Sequence, residues 1–247
     1  MDPKPQHKAR MRELALDFAR THQARDLYSL GEAAGTKLVF MDLGERDGAY
    51  DPEHKAIIIN NTRDLNRQKF TLAHEIAHAL LLDDDDLLSD IHEDFEGDSL
   101  EQVIEKLCDW GAANILIEPE TLQEVLNRHG ISAQGVMDLS RKAHISLRSA
   151  MVAIAEQAQN PTLIVLFQPA APQKPLVVNF TAQNAAFKYT LTPGQVLVQD
   201  HPVQVSFETR LPLEEDSYVP FASGKKMPAH LTTYPEKMRV LAVFKTP

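Results

Sequence analysis

The segment FTLAHEIAHALLL, Phe70 to Leu82, sets His74 and His78 four residues apart with Glu75 directly after the first. On a helix the two imidazoles lie about 40 degrees apart around the axis and one turn apart along it, while Glu75 is turned about 100 degrees away. Two neutral imidazoles side by side suit a divalent metal, and a carboxylate beside them but off the metal can take a proton from water. This is the chemistry of a zinc hydrolase. The apolar residues Ala73, Ile76, Ala77 and Leu80 run beside the histidines, so the helix can be buried and still present them to a cleft. The competing reading, a core helix with two hydrogen-bonded histidines, is weaker because the full H-E-x-x-H spacing coincides with an amphipathic helix.

A catalytic zinc site needs a third protein ligand and an open position. No further histidine follows at short spacing, so a carboxylate on the next helix is expected. In LEQVIEKLCDWGAANILI, Glu101, Glu105 and Asp109 stand one turn apart. Glu101 and Glu105 lie near the margin of the apolar stripe Ile104, Leu107, Cys108, Ala112 and Ile115, with Asp109 further out. Periodicity does not choose between the two glutamates.

Several elements must position these residues. Lys8 to Thr21 has helical spacing, and Asp26 opens a second short helix ending near Gly35. Residues 37–41 and 55–59 are strand-like, and ERDGAYDPEH between them carries the Gly, Asp and Pro of a hairpin. After the motif helix, DDDDLLSDIHEDFEGDSLEQ from Asp83 to Gln102 reads as a solvated acidic loop. A helix then runs from about Ser99 and stops before Glu118 and Pro119. Residues 119–159 are helical with breaks at HGIS and HIS. There Ser146 is an N-cap for a helix from Leu147, and Leu139, Ile145 and Met151 form the small core of a helix-turn-helix. From residue 160 the texture changes to TLIVLF, PLVVNF, KYTLT, PVQVSFET and MRVLAVF, all strand-like. The expected fold class is α+β, in three domains: 1–118, 119–159 and 160–247.

The formal charge is −10, which argues against broad nucleic-acid binding. From Pro161 onward there are 8 basic and 6 acidic residues, a balance of +2, so the first 160 residues carry −12. The single cysteine, Cys108, excludes an internal disulfide and fits a reducing compartment. With a polar start and no long apolar run, the chain is expected to be cytoplasmic, with no membrane contact.

HEIAH, followed by Glu105-Lys-Leu-Cys-Asp-Trp-Gly-Ala-Ala-Asn-Ile-Leu-Ile117 and Pro119, resembles the ImmA/IrrE family of metallopeptidases, as does GAYDPEHKAIIINN before the motif helix. The resemblance covers roughly the first 120 residues. Cys108 stands where the family often has alanine. A zincin-like metallopeptidase domain, a helix-turn-helix domain and a GAF-like sensor domain, in that order, are similar to the family's radiation-response regulators. The GAF-like assignment rests on this resemblance alone. It also implies that His74, His78 and Glu105 hold the metal, Zn²⁺ or alternatively Mn²⁺, and that Glu75 is the general base. The implied substrate is a helix-turn-helix transcriptional repressor, cleaved to switch on stress genes, and the implied role of the C-terminal domain is to take a small-molecule or other signal.

A second reading is a DNA-binding transcription factor whose metal site is vestigial or structural. Residues 119–157 hold four basic and four acidic residues, and Arg148 is the one cation of the recognition helix. Phosphate contacts would be few and DNA binding weak, so the module is expected to meet the protein substrate instead. His92, His129, His144, His201 and His230 are expected in surface or hydrogen-bonding roles, Tyr50 in packing, and Cys108 as an inert core thiol.

Overall fold

Asp64 starts the motif helix: its side chain accepts from the Arg67 amide, and the helix α3 runs Leu65–Leu82 from that cap. The computed structural model describes residues 3–22, 27–171 and 174–247. The chain divides into two compact units, Met1–Pro119 with Ala143–Ser146, and Glu120–Lys142 with Leu147–Pro247.

The first unit opens with α1 (Pro5–His22) and α2 (Leu27–Ala33). The Asp26 start expected for α2 lies outside the described residues. Strands β1 (Lys37–Met41), β2 (Gly48–Asp51) and β3 (Ala56–Asn60) form a sheet in the order β1-β3-β2. The hairpin expected between residues 37–41 and 55–59 is found elsewhere. β1 pairs with β3 in parallel, and the true hairpin joins β2 to β3. Asp51 closes it, accepting from the amides of Glu53 at 3.0 Å and His54 at 3.1 Å, so much of the supposed connection is itself a strand.

After α3 the acidic stretch is a helix, α4 (Asp85–Asp94), and not a loop. Asp84 caps it by accepting from Leu87, the acidic residues of its first turn suit the positive end of the helix, and Leu87 and Ile91 are buried one turn apart. Helix α5 (Asp98–Leu116) follows as expected. α3 and α5 approach closely because residue 111 is glycine: a Cβ there would lie 2.9 Å from Ala77 Cβ and 2.5 Å from Met11 Cε.

In the second unit α6 (Pro119–His129), α7 (Ala133–Lys142) and α8 (Leu147–Glu156) are the helices expected. They share this unit with a sheet of β4 (Thr162–Pro169), β5 (Leu176–Gln183), β6 (Glu214–Pro220), β7 (Lys226–Glu236) and β8 (Arg239–Lys245), ordered β5-β4-β8-β7-β6. α7 packs on β7 and β8, and α8 on β4 and β5, so these two helices and the strands after them fold together. Leu139, Ile145 and Met151 are all buried. The opposite face of the sheet, with Leu163, Val165, Leu231, Ala242 and Phe244, packs under Phe187, Leu191 and Val203. Two expected strands are absent. KYTLT is irregular, and PVQVSFET is helix α9 (Pro202–Thr209). His201 caps α9, Pro202 stands in its first turn, where its missing N–H costs nothing, and Val203 and Ser206 are its buried face.

Candidate metal centre

α3 carries His74, Glu75 and His78, and α5 brings Glu105 to them. His74 Nε2 lies 3.2 Å from His78 Nε2. Glu105 Oε2 is 3.4 Å from His74 Nε2, and its Oε1 is 3.4 Å from His78 Nε2. Four ligands in a tetrahedron at about 2.05 Å from a cation stand about 3.3–3.4 Å from each other, so these spacings fit a shared ion. His74, His78 and Glu105 form the one such group of three among the described residues. The histidines are half-buried and Glu105 is exposed, which leaves one side open. Glu101, the alternative left open by periodicity, is exposed and outside the group.

Asp109, one turn beyond Glu105, lies 3.0 Å from His74 Nδ1. A proton on that nitrogen leaves the Nε2 lone pair facing Glu105 and His78. The helical wheel set Asp109 outside the site. Its signal was the four-residue step from Glu105, which places a second carboxylate within reach of the far side of the same imidazole.

The electrostatics match a cation site. Burial works against a charged His74, but its hydrogen bonds to Asp109 and Glu105 and their charges outweigh it and raise its pKa to about 9. Hydrogen bonds to His74 and His78 hold the Glu105 carboxyl well below the usual carboxylate range. Two imidazoles among three carboxyl groups leave negative charge that a divalent ion would balance.

Glu75 is buried and points to β2, as the 100-degree offset requires. Burial raises its pKa; the two histidines oppose this, Glu105 reinforces it, and a hydrogen bond from the Tyr50 backbone opposes it. A Cβ at Gly48 would come within 3.3 Å of Glu75 Oε1 and overlap Thr71 Cγ2. Tyr50 therefore touches the site through its amide, a main-chain role that residue types could not show. Its phenol is pushed up by burial and by Asp83 and Asp51.

The remaining candidates lie outside this group. His92 and His144 are exposed. His129 Nε2 is 3.3 Å from Asp138, and His230 sits between Glu214 at 3.1 Å and Asp216 at 3.3 Å. His201 is buried and bonds the Tyr218 carbonyl at 3.0 Å. Cys108 is buried, and burial pushes its thiol up, as inert packing predicts. Arg148 donates to Asn179 Oδ1 at 3.2 Å and lies 5.1 Å from the Phe180 ring centroid. No helix among the described residues is long and apolar enough to cross a membrane.

The IrrE N-terminal-like domain of the peptidase M78 family matches residues 32–152. The radiation response metalloprotease IrrE of Deinococcus deserti is 46% identical over 97% of this chain and 89% of its own length. That of Deinococcus radiodurans is 42% identical over 96% of this chain and 77% of its own. Among solved structures, a Mycobacterium tuberculosis transcriptional regulator superposes with a TM-score of 0.65 at 12% identity, over 96% of this chain and 76% of that one, a likeness of fold. The sustained identity to both relatives and the family match across the H-E-x-x-H helix show that the chain belongs to the IrrE family of metalloproteases, and is thus a protease that depends on a metal.

Proposed function

We propose that this protein is a zinc-dependent, site-specific endopeptidase that cleaves a helix-turn-helix transcriptional repressor and so induces a radiation or DNA-damage response. His74, His78 and Glu105 are its metal ligands and Glu75 its general base. The observation that carries this reading is the mutual spacing of the three donor groups, 3.2, 3.4 and 3.4 Å. Two imidazoles and one carboxylate suit Zn²⁺ best, with Mn²⁺ as the alternative. A cation held there would polarise the scissile carbonyl and make water a better nucleophile. Glu75 takes the proton of the attacking water and later delivers it to the leaving amine. Its buried position favours both tasks, since burial raises its pKa while the two imidazoles still support the anion. Asp109 and the Tyr50 amide hold His74 and Glu75 in register.

The stress-response part of the reading is supported by the two radiation response metalloproteases that the chain resembles. A role of α6 to α8 in docking the substrate protein is favoured over DNA binding by the engagement of Arg148 with Asn179 and Phe180. We assign the β4–β8 part of the second unit a GAF-like, signal-receiving role. The buried, unpaired Cys108 suits a cytoplasmic protein.

The test is incubation of the purified protein, with Zn²⁺ or with Mn²⁺, with a helix-turn-helix repressor encoded near its gene. Metal-dependent cleavage at one bond is expected, and Glu75→Gln should bind metal normally but not cleave. Cleavage by Glu75→Gln at the wild-type rate would refute the role of Glu75. Tight, sequence-selective DNA binding at physiological salt, without proteolysis, would favour a transcription factor.

A further inference from the structure

We propose that Asp47 is a positioning residue for Glu75, clamped by Arg63 and Arg67 so that β2 holds its Tyr50 amide and Gly48 against the Glu75 carboxyl. The inference rests on the reading of Glu75 as the base. Asp47 immediately precedes β2. Its Oδ1 accepts from Arg63 Nε at 2.7 Å and its Oδ2 from Arg67 Nε at 2.9 Å, with Arg67 Nη2 also on Oδ2. Arg67 belongs to α3 itself, two turns before His74, and Arg63 lies just ahead of the Asp64 cap. Asp47 thus ties the entry of β2 directly to the helix that carries the metal motif. Its carboxyl is held below the usual carboxylate range, first by Arg67 and then by Arg63. The rest of the loop is tied to the same region. Asn60 Nδ2 donates to the carbonyls of Gly44 at 3.1 Å and Arg46 at 2.7 Å, and Arg63 Nη2 to that of Glu45 at 2.8 Å.

Pairing parity explains why this clamp reaches the base. The Asn60 amide donates to the Asp47 carbonyl at 2.9 Å, so Asp47 faces β3 with its main-chain groups. In an antiparallel ladder the bonded pairs alternate, so the main-chain groups of Gly48 and Tyr50 turn away from β3. On that outer side the Tyr50 amide meets Glu75, and the missing Cβ of Gly48 leaves room for Thr71 and the Glu75 carboxyl. If β2 drifts, Glu75 loses its fixed donor and one wall of its seat.

The test uses the full-length protein loaded with zinc alone, following amide hydrogen exchange in Asp47→Ala. The Tyr50 amide should exchange at least about tenfold faster, while amides in the middle of α3 stay protected and zinc stoichiometry is unchanged. On the repressor, kcat should fall about tenfold to a hundredfold at unchanged KM, with Asp47→Asn, which keeps one acceptor, falling between. Wild-type protection of the Tyr50 amide in Asp47→Ala overturns the proposal. Loss of protection throughout α3 overturns it too, because Asp47 would then be a general fold contact. A fall in KM affinity with kcat intact does the same. Activity of Glu75→Gln bears only on the base assignment, whereas the exchange result depends on the clamp and not on the role of Glu75.

Discussion

Asp109 and His74 sit on different helices with 3.0 Å between the Asp109 carboxylate and His74 Nδ1, on the side of the ring away from Glu105 and His78. The contact orients the ring and, in the neutral imidazole a metal would need, favours the proton on Nδ1. Asp109→Ala should therefore weaken zinc affinity by about ten- to a hundredfold while the fold persists. Competition with a chelating dye measures it, and wild-type affinity would mean that packing alone orients His74.

Glu105 and Glu101 stand four residues apart, but the three-donor group includes Glu105 alone. Glu105→Ala should lose bound metal after dialysis and Glu101→Ala should keep it, as read by elemental analysis. The reverse pattern would show that the wrong glutamate had been assigned.

Gly111 lets α5 close on Ala77, the residue just before His78, and on Met11 of α1. Gly111→Ala forces those neighbours apart, with an overpacking cost of about 1–3 kcal/mol. Denaturant unfolding should show that loss, and zinc affinity should fall because Glu105 moves with α5. A variant as stable as wild type would indicate that the helices can separate at no cost.

His201 caps α9 through its Nδ1, which accepts from the Val203 amide at 3.2 Å, a bond open only to the neutral ring. Burial, the largest influence, lowers its pKa below the ordinary 6.5. As pH falls through 6.5, the unfolded ring takes up a proton and the folded ring resists it. Acid therefore favours unfolding, and this contribution is complete above 6.5 and drains away below it. Melting temperature should drop from pH 7.5 to 5.5 for wild type, and drop less for His201→Asn, which keeps a capping acceptor. Equal slopes for both proteins would remove His201 from the explanation.

The chemistry was legible because H-E-x-x-H ties residue type to helical period: two imidazoles on one face and a carboxylate turned away follow from 3.6 residues per turn. The same periodicity marked α1 and α5, the Ser146 cap marked α8, and short apolar runs bounded by Pro, Gly and Asn marked β4, β5 and β8. Tertiary structure decided the rest. Which glutamate joins His74 and His78 in the three-donor group depends on how α5, drawn close at Gly111, crosses α3, and periodicity places two glutamates equally well. β2 escaped notice because four residues inside a turn-rich stretch carry no period, and it becomes a strand only by pairing with β3. Helices α4 and α9 were hidden by local composition. Four aspartates read as solvent-facing until Asp84 served as a cap and Leu87 and Ile91 found a core, and Val203, Val205 and Phe207 mimic a strand until Pro202 and His201 start a helix. The link from Asp47 to Glu75 passes through a backbone amide and two arginines, and only the folded chain brings these together.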